Sequence, residues 1–286
     1  MQTIVTANGP ITVNGLDNSL VKNPKSANVR GILHRGVSDY APEESWQAYQ
    51  LAYQFGYYNV EGDIHFTKDG VPVMIHDDTI NRVAVNKSDK SNIVGDVAVV
   101  DNNYQDLLDK YDYCKINGNV QKYYYGTSLL SFEDLLKICR KYNYALHAEL
   151  KIEMTDAQIE RLVYLARYYG MDNNIFWQSS NPDWFKHLKE IAPDSNFCFL
   201  ISTDPTESLI ATMKSYQTGL LHGKVYAYVS HSVDKSKLVT YKENGIDVVV
   251  WTFYSDAAIQ DWGLNTCVNG IMVQGDVNVA RALMRA

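Results

Sequence analysis

Two short segments of this 286-residue chain place charged side chains two residues apart. Glu61 and Asp63 form one pair, and Glu149 and Lys151 form the other. In a β-strand, residues i and i+2 point to the same face, so each pair would present its side chains together. If both strands end at one edge of a sheet, three carboxylates meet there, and their repulsion requires a cation. Because all three ligands are oxygens, Mg²⁺ or Ca²⁺ is favoured over zinc.

Two histidines, His34 and His76, also lie at the ends of apolar runs. An imidazole can act as a general acid or a general base, and each such role contributes about 10²- to 10⁴-fold to a rate. Arg35 and Lys151 are cations that suit a phosphate, and an arginine can bind two of its oxygens at once. A divalent cation, two imidazoles and two cationic side chains together indicate phosphodiester cleavage.

The elements that position these residues alternate between strands and helices. Short apolar runs predict eight strands: Gly31–His34, Tyr57–His65, Ala145–Lys151, Ile175–Gln178, Phe197–Ser202, Lys224–Val229, Asp247–Thr252 and Gly270–Val273. Helical spacing predicts helices at Pro42–Phe55, Asp156–Tyr169, Asn181–Ile191, Thr206–Lys214, Asp234–Asn244, Ser255–Trp262 and Val277–Arg285. This alternation predicts an α/β fold with a parallel sheet, and eight units in about 250 residues fit a closed (β/α)8 TIM barrel. A doubly wound open sheet is the alternative.

Barrel enzymes carry their functional groups at the C-terminal ends of the strands, where the acids and histidines above are found. Trp251 also ends a predicted strand, and it either packs in the barrel or stacks on the substrate. Gln178 is expected to line the same substrate pocket. Glu43 and Glu44 lie in the first turn of a predicted helix, where we expect them to interact with the helix dipole rather than to take part in catalysis.

The chain divides into two predicted parts. Residues 1–30 are rich in Asn, Gly, Thr and Ser and predict an N-terminal extended arm, whereas residues 31–286 predict the barrel. The regular alternation breaks after the second strand, in a polar, tyrosine-rich stretch. We interpret residues 79–130 as a small insertion, large enough to cover one mouth of the barrel.

Composition excludes several classes of protein. Hydrophobic residues make up 46% and charged residues 21%, which is ordinary for a globular chain. The apolar runs are far shorter than the roughly 20 residues of a transmembrane helix, so no transmembrane segment is expected. The net charge is −7 and basic residues do not cluster, so no nucleic-acid partner is expected. The N-terminus lacks the pattern of a signal peptide. We therefore expect a cytoplasmic protein or, alternatively, an extracellular or virion-associated one that leaves by a signal-independent route.

Several short motifs follow one another at characteristic intervals: His34-Arg35-Gly36, Pro42-Glu43-Glu44-Ser45, Glu61-Gly62-Asp63, Thr67-Lys68-Asp69-Gly70, His76-Asp77, Arg82, Glu149-Leu150-Lys151 and Trp251-Thr252. In this order they resemble the pattern of the glycerophosphodiester phosphodiesterase family, over roughly residues 30 to 280. The sequence departs from that pattern in three places. Pro42-Glu43-Glu44-Ser45 replaces Pro-Glu-Asn-Thr, Val83-Ala84 replaces two threonines after Arg82, and the last strand is not followed by Thr-Asp and a proline.

The resemblance implies a (β/α)8 barrel with a small insertion after the second strand. It also implies the following residue roles: one divalent cation on Glu61, Asp63 and Glu149, acid and base catalysis by His34 and His76, and phosphate contacts from Arg35 and Lys151. The implied reaction is hydrolysis of a glycerophosphodiester to an alcohol and glycerol phosphate. A hydroxyl next to the phosphodiester would attack phosphorus and give a cyclic phosphate, which water would open.

Two other functions are open at this point. The same chemistry could act on a polyol-phosphate polymer such as teichoic acid, with residues 1–30 attaching the enzyme to a phage tail or holding an oligomer together. A non-catalytic binding barrel belongs to a different class. It would be marked by the loss of an acid or a histidine, and every expected one is present.

Overall fold

The computed structural model describes residues 2–6, 9–13, 29–263 and 265–274. The strands of these residues are, in chain order, β1 (Gln2–Thr6), β2 (Gly9–Val13), β3 (Arg30–Leu33), β4 (Asn59–Phe66), β5 (Pro72–Met74), β6 (Val85–Asn86), β7 (Tyr111–Asp112), β8 (Lys115–Ile116), β9 (Asn119–Val120), β10 (Ala145–Leu150), β11 (Ile175–Ser179), β12 (Asn196–Ile201), β13 (Val225–Ser230), β14 (Asp247–Phe253) and β15 (Val268–Val273). The α-helices are α1 (Trp46–Gln54), α2 (Tyr104–Lys110), α3 (Phe132–Tyr142), α4 (Asp156–Tyr168), α5 (Phe185–Ile191), α6 (Glu207–Gln217), α7 (Leu238–Glu243) and α8 (Asp256–Gly263).

Eight of the strands pair in parallel around a closed ring. Their order is β3, β4, β10, β11, β12, β13, β14 and β15, and β15 pairs back onto β3. The predicted (β/α)8 barrel is therefore confirmed, and the open-sheet alternative is wrong because an open sheet would leave two edge strands without partners. Each predicted barrel strand is present, with bounds that differ by two residues or fewer. β5 adds an antiparallel strand to β4.

Local sequence signals explain where several helices begin. Ser45 precedes α1, and its side chain accepts a hydrogen bond from the backbone N–H of Ala48. Thr155 and Gln158 form a reciprocal capping box at the start of α4. The predicted helices Asn181–Ile191 and Asp234–Asn244 each begin with a 3₁₀ turn before α5 and α7. The predicted helix Val277–Arg285 lies outside the described residues.

One helix of the barrel, α3, has no counterpart among the predicted helices. Its apolar residues Phe132, Leu135, Leu136 and Cys139 have helical spacing and are buried, and Ser131 caps its first turn. The helix follows directly after the irregular stretch, so it supplies the helical half of the second βα unit. The short helix α2, inside the predicted insertion, is also additional.

Among the described residues, the apolar core has three parts. The largest lies between the barrel strands and the surrounding helices. A second fills the barrel interior and includes Ile32, Tyr228 and Met272. A third joins β5 to the predicted insertion through Val73, Ile75, Ile80, Val83, Ala84, Val99, Leu107, Tyr113 and Leu129. The insertion is thus packed on the barrel through its own small core.

The N-terminal part is described only as the antiparallel ribbon of β1 and β2. The limits 1–30 and 31–286 stay predictions. No helix among the described residues combines the length and the apolar character that a bilayer crossing needs.

Candidate active site

Three carboxylates meet on two neighbouring strands, in the middle of β4 and near the C-terminal end of β10. Glu61 and Asp63 share one face of β4, and the pairing of β4 with β10 sets Glu149 directly beside Asp63. One carboxylate oxygen from each residue lies within 4.8 Å of the others. Glu61 and Asp63 are buried, and Glu149 is partly buried. The same-face spacing noted in the sequence therefore brings the three acids together.

The charges of these acids are unevenly compensated. Arg35 Nε lies 3.0 Å from Asp63 Oδ2, and Lys151 Nζ lies 3.7 Å from Asp63 Oδ1 and 3.1 Å from Glu149 Oε1. Burial alone would raise the pKa of Asp63, but Arg35 and Lys151 lower it. Burial, with the charge of Asp63 adding to it, raises the pKa of Glu61 well above its usual range and that of Glu149 to about 8.

The donor set fits a hard divalent cation. Both carboxylate oxygens of Asp63 are buried and receive no well-aligned hydrogen bond from the described residues, although two cations lie at ion-pair distance. Buried carboxylate oxygens of this kind are costly unless a ligand satisfies them. Three acid oxygens without a thiolate suit Mg²⁺ or Ca²⁺. Glu61, Asp63 and Glu149 could therefore hold one metal ion.

His34 follows β3, and its side chain contacts the segment after β15, the strand that pairs with β3 to close the barrel. Its Nδ1 lies 2.9 Å from the side-chain oxygen of Gln274, the residue that follows β15. An amide oxygen only accepts, so Nδ1 carries the proton and Nε2 is left with its lone pair. Burial, and then Arg35, lower the pKa of His34 to about 4. The imidazole is therefore neutral near neutral pH.

His76 follows β5 and has a different partner. Its Nδ1 lies 2.7 Å from Oδ1 of Asp77, so this nitrogen donates to a carboxylate. Burial lowers the pKa of His76, while Asp63 and Asp77 act in the opposite direction. The two histidines thus differ in the charge of the group that orients them.

Arg35 adopts a left-handed backbone conformation, with φ of 57°. Its backbone N–H donates to Glu61 Oε2 at 3.0 Å, while its guanidinium reaches Asp63 and Glu43. A non-glycine residue in this region costs of order 1 to 3 kcal/mol, and such strain is concentrated at functional sites. The strained residue directs both its backbone and its side chain at the acids.

These groups surround one cavity of about 290 Å³. One part of its lining, which we call the acid–base arc, comes from β4, β10 and the segments that follow β3, β5 and β10. It consists of His34, Arg35, Glu61, His76, Glu149 and Lys151. The rest, which we call the neutral arc, comes from β11, β12, β14, β15 and their loops and consists of Gln178, Ser180, Leu200, Ser202, Trp251, Thr252, Tyr254 and Met272. Every site residue expected from the sequence lines this cavity except Asp63, which is buried against Arg35 and Lys151. None of the described residues of the insertion lines it.

The two predicted pocket residues lie in the neutral arc. Trp251 Nε1 donates to the backbone carbonyl of Tyr228 at 2.7 Å, so its ring is held in place at the cavity edge. Gln178 is buried beside Glu149 in the pairing of β11 with β10, and its Nε2 has no acceptor among the described residues. A buried amide donor without a partner at a cavity surface is suited to a bound ligand.

The expectation that Glu43 and Glu44 serve the dipole of α1 is wrong. The helix begins at Trp46, after the cap at Ser45, and its first turn contains no acid. Glu43 instead accepts hydrogen bonds from Arg35 and Arg82. Glu44 is buried, and its Oε1 accepts the backbone N–H of Asp63 at 2.5 Å. Glu43 thus holds two arginine side chains in place, and Glu44 holds the backbone of Asp63.

Several cavity residues were not singled out in the sequence: Ser180, Leu200, Ser202, Tyr254, Met272 and the histidine partner Gln274. Most of them lie at or just beyond the C-terminal ends of predicted barrel strands. The rule that barrel sites form at these ends could have identified them.

The model of the glycerophosphoryl diester phosphodiesterase family matches residues 34–274, which is most of the chain. The chain belongs to this family. The matched range includes every residue of the cavity lining.

The relatives that match most of the chain and are described next are distant in sequence, and one relative of higher identity matches only a short stretch. Glycerophosphodiester phosphodiesterase 1 of Rattus norvegicus is 50% identical over 54 residues, which span 19% of this chain and only 16% of the rat protein. A solved glycerophosphoryl diester phosphodiesterase from Silicibacter pomeroyi is 22% identical with a TM-score of 0.76, covering 92% of this chain and 94% of that one. A phosphodiesterase from Oleispira antarctica, solved in complex with the product sn-glycerol-3-phosphate, is 20% identical with a TM-score of 0.74 and covers 89% of this chain and 94% of that one. At these identities the two solved structures support the shared barrel fold.

Proposed function

We propose that this protein is a metal-dependent phosphodiesterase that hydrolyses glycerophosphodiesters to an alcohol and glycerol phosphate. The observation that supports this most is the convergence of three acids and two histidines on one cavity. Membership of the glycerophosphoryl diester phosphodiesterase family supports the reaction class. The glycerol phosphate product in the Oleispira antarctica phosphodiesterase supports the choice of substrate.

Glu61, Asp63 and Glu149 would hold one Mg²⁺ or Ca²⁺ ion. When bound, such a cation offsets negative charge on the phosphoryl oxygens and orients the phosphodiester. Arg35 and Lys151 line the same part of the cavity and contact the same acids. We assign them to the phosphate, where fixed positive charge stabilises the charge that develops in the transition state.

His34 is suited to be the general base of the first step. Its Nε2 has a free lone pair, because Nδ1 is used on the neutral amide of Gln274, and its low pKa keeps it unprotonated. Nε2 would take the proton of the glycerol hydroxyl next to the phosphodiester. The hydroxyl oxygen then bonds to phosphorus, and the bond from phosphorus to the alcohol oxygen breaks.

His76 is suited to be the general acid of that step. Burial lowers the pKa of His76, and Asp77, which accepts from Nδ1, opposes that effect and so favours the protonated imidazole. The Nε2 proton of the protonated ring would pass to the departing alcohol. In the second step the roles reverse. His76 takes a proton from water, the water oxygen bonds to phosphorus, and His34 returns its proton to the glycerol oxygen as the cyclic phosphate opens.

A substrate panel tests the proposal. The protein, dialysed against EDTA, is assayed on glycerophosphocholine, glycerophosphoglycerol and purified teichoic acid with no metal, with Mg²⁺ and with Ca²⁺. We expect release of glycerol phosphate or its equivalent only after a cation is restored. The double variant His34→Ala/His76→Ala is the matched background.

The outcomes separate the alternatives. Release from teichoic acid alone would assign the polymer substrate instead of the small diesters. Full activity after exhaustive chelation would contradict the metal role. No release from any of the three, with either cation, would favour a non-catalytic barrel.

A further inference from the structure

A chain of ion pairs connects His76 to the metal-binding carboxylates. In order, it runs through His76, Asp77, Arg82, Glu43, Arg35 and Asp63. We propose that Arg82 and Glu43 are positioning residues that fix His76 relative to the cluster of Glu61, Asp63 and Glu149. One role of the insertion is then to hold Arg82 in place. We call this chain of ion pairs the bridge. The inference rests on the proposed function, because the bridge would hold His76, the proposed general acid, in place.

The half of the bridge next to His76 is held by paired contacts. Arg82 Nε donates to Asp77 Oδ2 at 2.6 Å, and Arg82 Nη2 lies 3.2 Å from Asp77 Oδ1. Asp77 Oδ1 is also the oxygen that accepts from His76 Nδ1. An arginine that binds a carboxylate through two N–H groups fixes its plane as well as its position. The orientation of the imidazole therefore depends on Arg82 through Asp77.

The other half leads from Arg82 to the acid cluster. Arg82 Nη1 and Nη2 donate to Glu43 Oε2 and Oε1 at 2.5 and 2.8 Å. Glu43 Oε1 also accepts from Arg35 Nη1 at 3.2 Å, and Arg35 Nε lies 3.0 Å from Asp63. Glu43 thus connects Arg82, which holds Asp77, to Arg35, which contacts Asp63.

Glu43 is almost fully buried, with 9% of its side chain exposed. Burial alone would raise its pKa, but Arg82 and Arg35 together lower it, so it is a carboxylate. A buried charge that loses its partner is costly, whereas a buried charge that keeps its hydrogen bonds is well defined in position. The bridge is therefore rigid only when all its members are present.

The insertion fixes the backbone of Arg82. Arg82 lies in a turn in which the N–H groups of Val83 and Ala84 donate to the carbonyl of Ile80. Ile80, Val83 and Ala84 are buried in the small core that joins β5 to the insertion. The backbone N–H of Lys115 donates to the carbonyl of Val83, which secures the turn from a later part of the insertion. The insertion contributes no described residue to the cavity lining, yet it determines where Arg82 lies.

The kinetic experiment compares Arg82→Gln, Arg82→Lys, Glu43→Gln and the double variant Arg82→Gln/Glu43→Gln with the wild type. We expect Arg82→Gln to lower kcat about 10- to 100-fold, with KM within about threefold, because the substrate contacts are intact but the acid is misplaced. Arg82→Lys should recover part of the loss through a single ion pair. The double variant should be no more than about threefold below the worse single variant, because both residues act through one bridge.

A second readout does not depend on activity. The ring nitrogens of His76 are observed by ¹⁵N NMR, with His76→Ala used to assign the signal. The wild type should show a protonated Nδ1 in slow exchange, and Arg82→Gln should lose this signature while the protein stays folded. Arg161→Gln, which removes an exposed arginine from α4, is the control and should change neither measurement.

The results distinguish the two proposals. If the wild type hydrolyses no diester but Arg82→Gln still alters the His76 ring, the bridge stands and the proposed function fails. If the ring and kcat are unchanged in folded Arg82→Gln, the bridge is not a positioning device. Additive losses in the double variant, or a fall in kcat that only follows the fraction of folded protein, would also overturn it.

Discussion

The two arcs of the cavity are built in opposite ways. In the acid–base arc, the charged side chains are held by short contacts to one another and to groups behind them, such as Gln274 and Glu43. In the neutral arc, Gln178 Nε2 has no acceptor among the described residues, and 64% of Tyr254 is exposed. Under the proposed function, this difference predicts a division of work, in which the acid–base arc carries out the phosphodiester chemistry and the neutral arc contacts the alcohol.

Removing a histidine of the acid–base arc should cause a greater loss of activity than any change in the neutral arc. His34→Ala or His76→Ala should lower kcat/KM about 10²- to 10⁴-fold, and by a similar factor for every alcohol, because each removes a proton-transfer group. Steady-state kinetics on two diesters measures this. The matched control is His222→Ala, since His222 is exposed and paired with Asp194 away from the cavity. Near-normal turnover in both variants would refute the acid–base roles.

A smaller effect is expected from the neutral arc at Gln178. Gln178→Leu keeps the size of the side chain and removes one uncharged hydrogen bond to the ligand, worth about 0.5 to 1.5 kcal/mol. We expect kcat/KM to fall about two- to tenfold while the thermal midpoint is kept or rises, because an unpaired buried amide is removed. Gln105→Leu, at an exposed position of α2, serves as the control. Unchanged kinetics for all alcohols would remove Gln178 from the substrate site.

Replacing Trp251 should have an effect that depends on the alcohol of the substrate. An aromatic face attracts a quaternary ammonium with about 0.5 to 1 kcal/mol at an exposed site. Trp251→Leu should therefore raise KM for glycerophosphocholine about two- to fivefold and leave KM for glycerophosphoglycerol nearly unchanged. Equal changes for both substrates would mean that the ring acts through barrel packing.

The smallest effect concerns the acid stability of the bridge. Burial alone would raise the pKa of Asp77, but Arg82 and His76 lower it to about 2. Because the folded-state pKa lies below the usual one, this carboxylate stabilises the fold above about pH 4, and the contribution is lost as the pH falls towards 2. Asp77→Asn should cost about 1 kcal/mol or less at pH 7, since the group is partly exposed. Its deficit in thermal midpoint should shrink between pH 4 and pH 2. A deficit that is constant with pH would contradict the assignment.

Much of the fold and of the acid–base arc could be predicted from local patterns. Alternating apolar runs define the barrel strands, and the two-residue spacing already places Glu61 and Asp63 on one face of their strand and Glu149 and Lys151 on one face of theirs. The helix α3 has an equally local signal, because Ser131 caps its first turn and apolar residues follow at helical spacing. The irregular insertion just before the helix obscures this signal in the sequence.

The hydrogen-bond and ion-pair partners of these residues could not be predicted in this way, because they depend on contacts between distant parts of the chain. Gln274 meets His34 only because closure of the barrel sets β15 beside β3, 240 residues apart in sequence. Glu43 had a plausible local explanation in its proline and neighbouring acid. Its arginine partner Arg82 lies 39 residues away in a segment without regular periodicity. Local spacing contains no information about such pairs.

The packing of the insertion has a consequence for how sequences of this kind diverge. Surface loops ordinarily tolerate changes in length. Here the turn at Ile80–Ala84 is tied to buried side chains, so gaining or losing a residue there would displace Arg82. Relatives should therefore preserve the number of residues between His76 and Arg82.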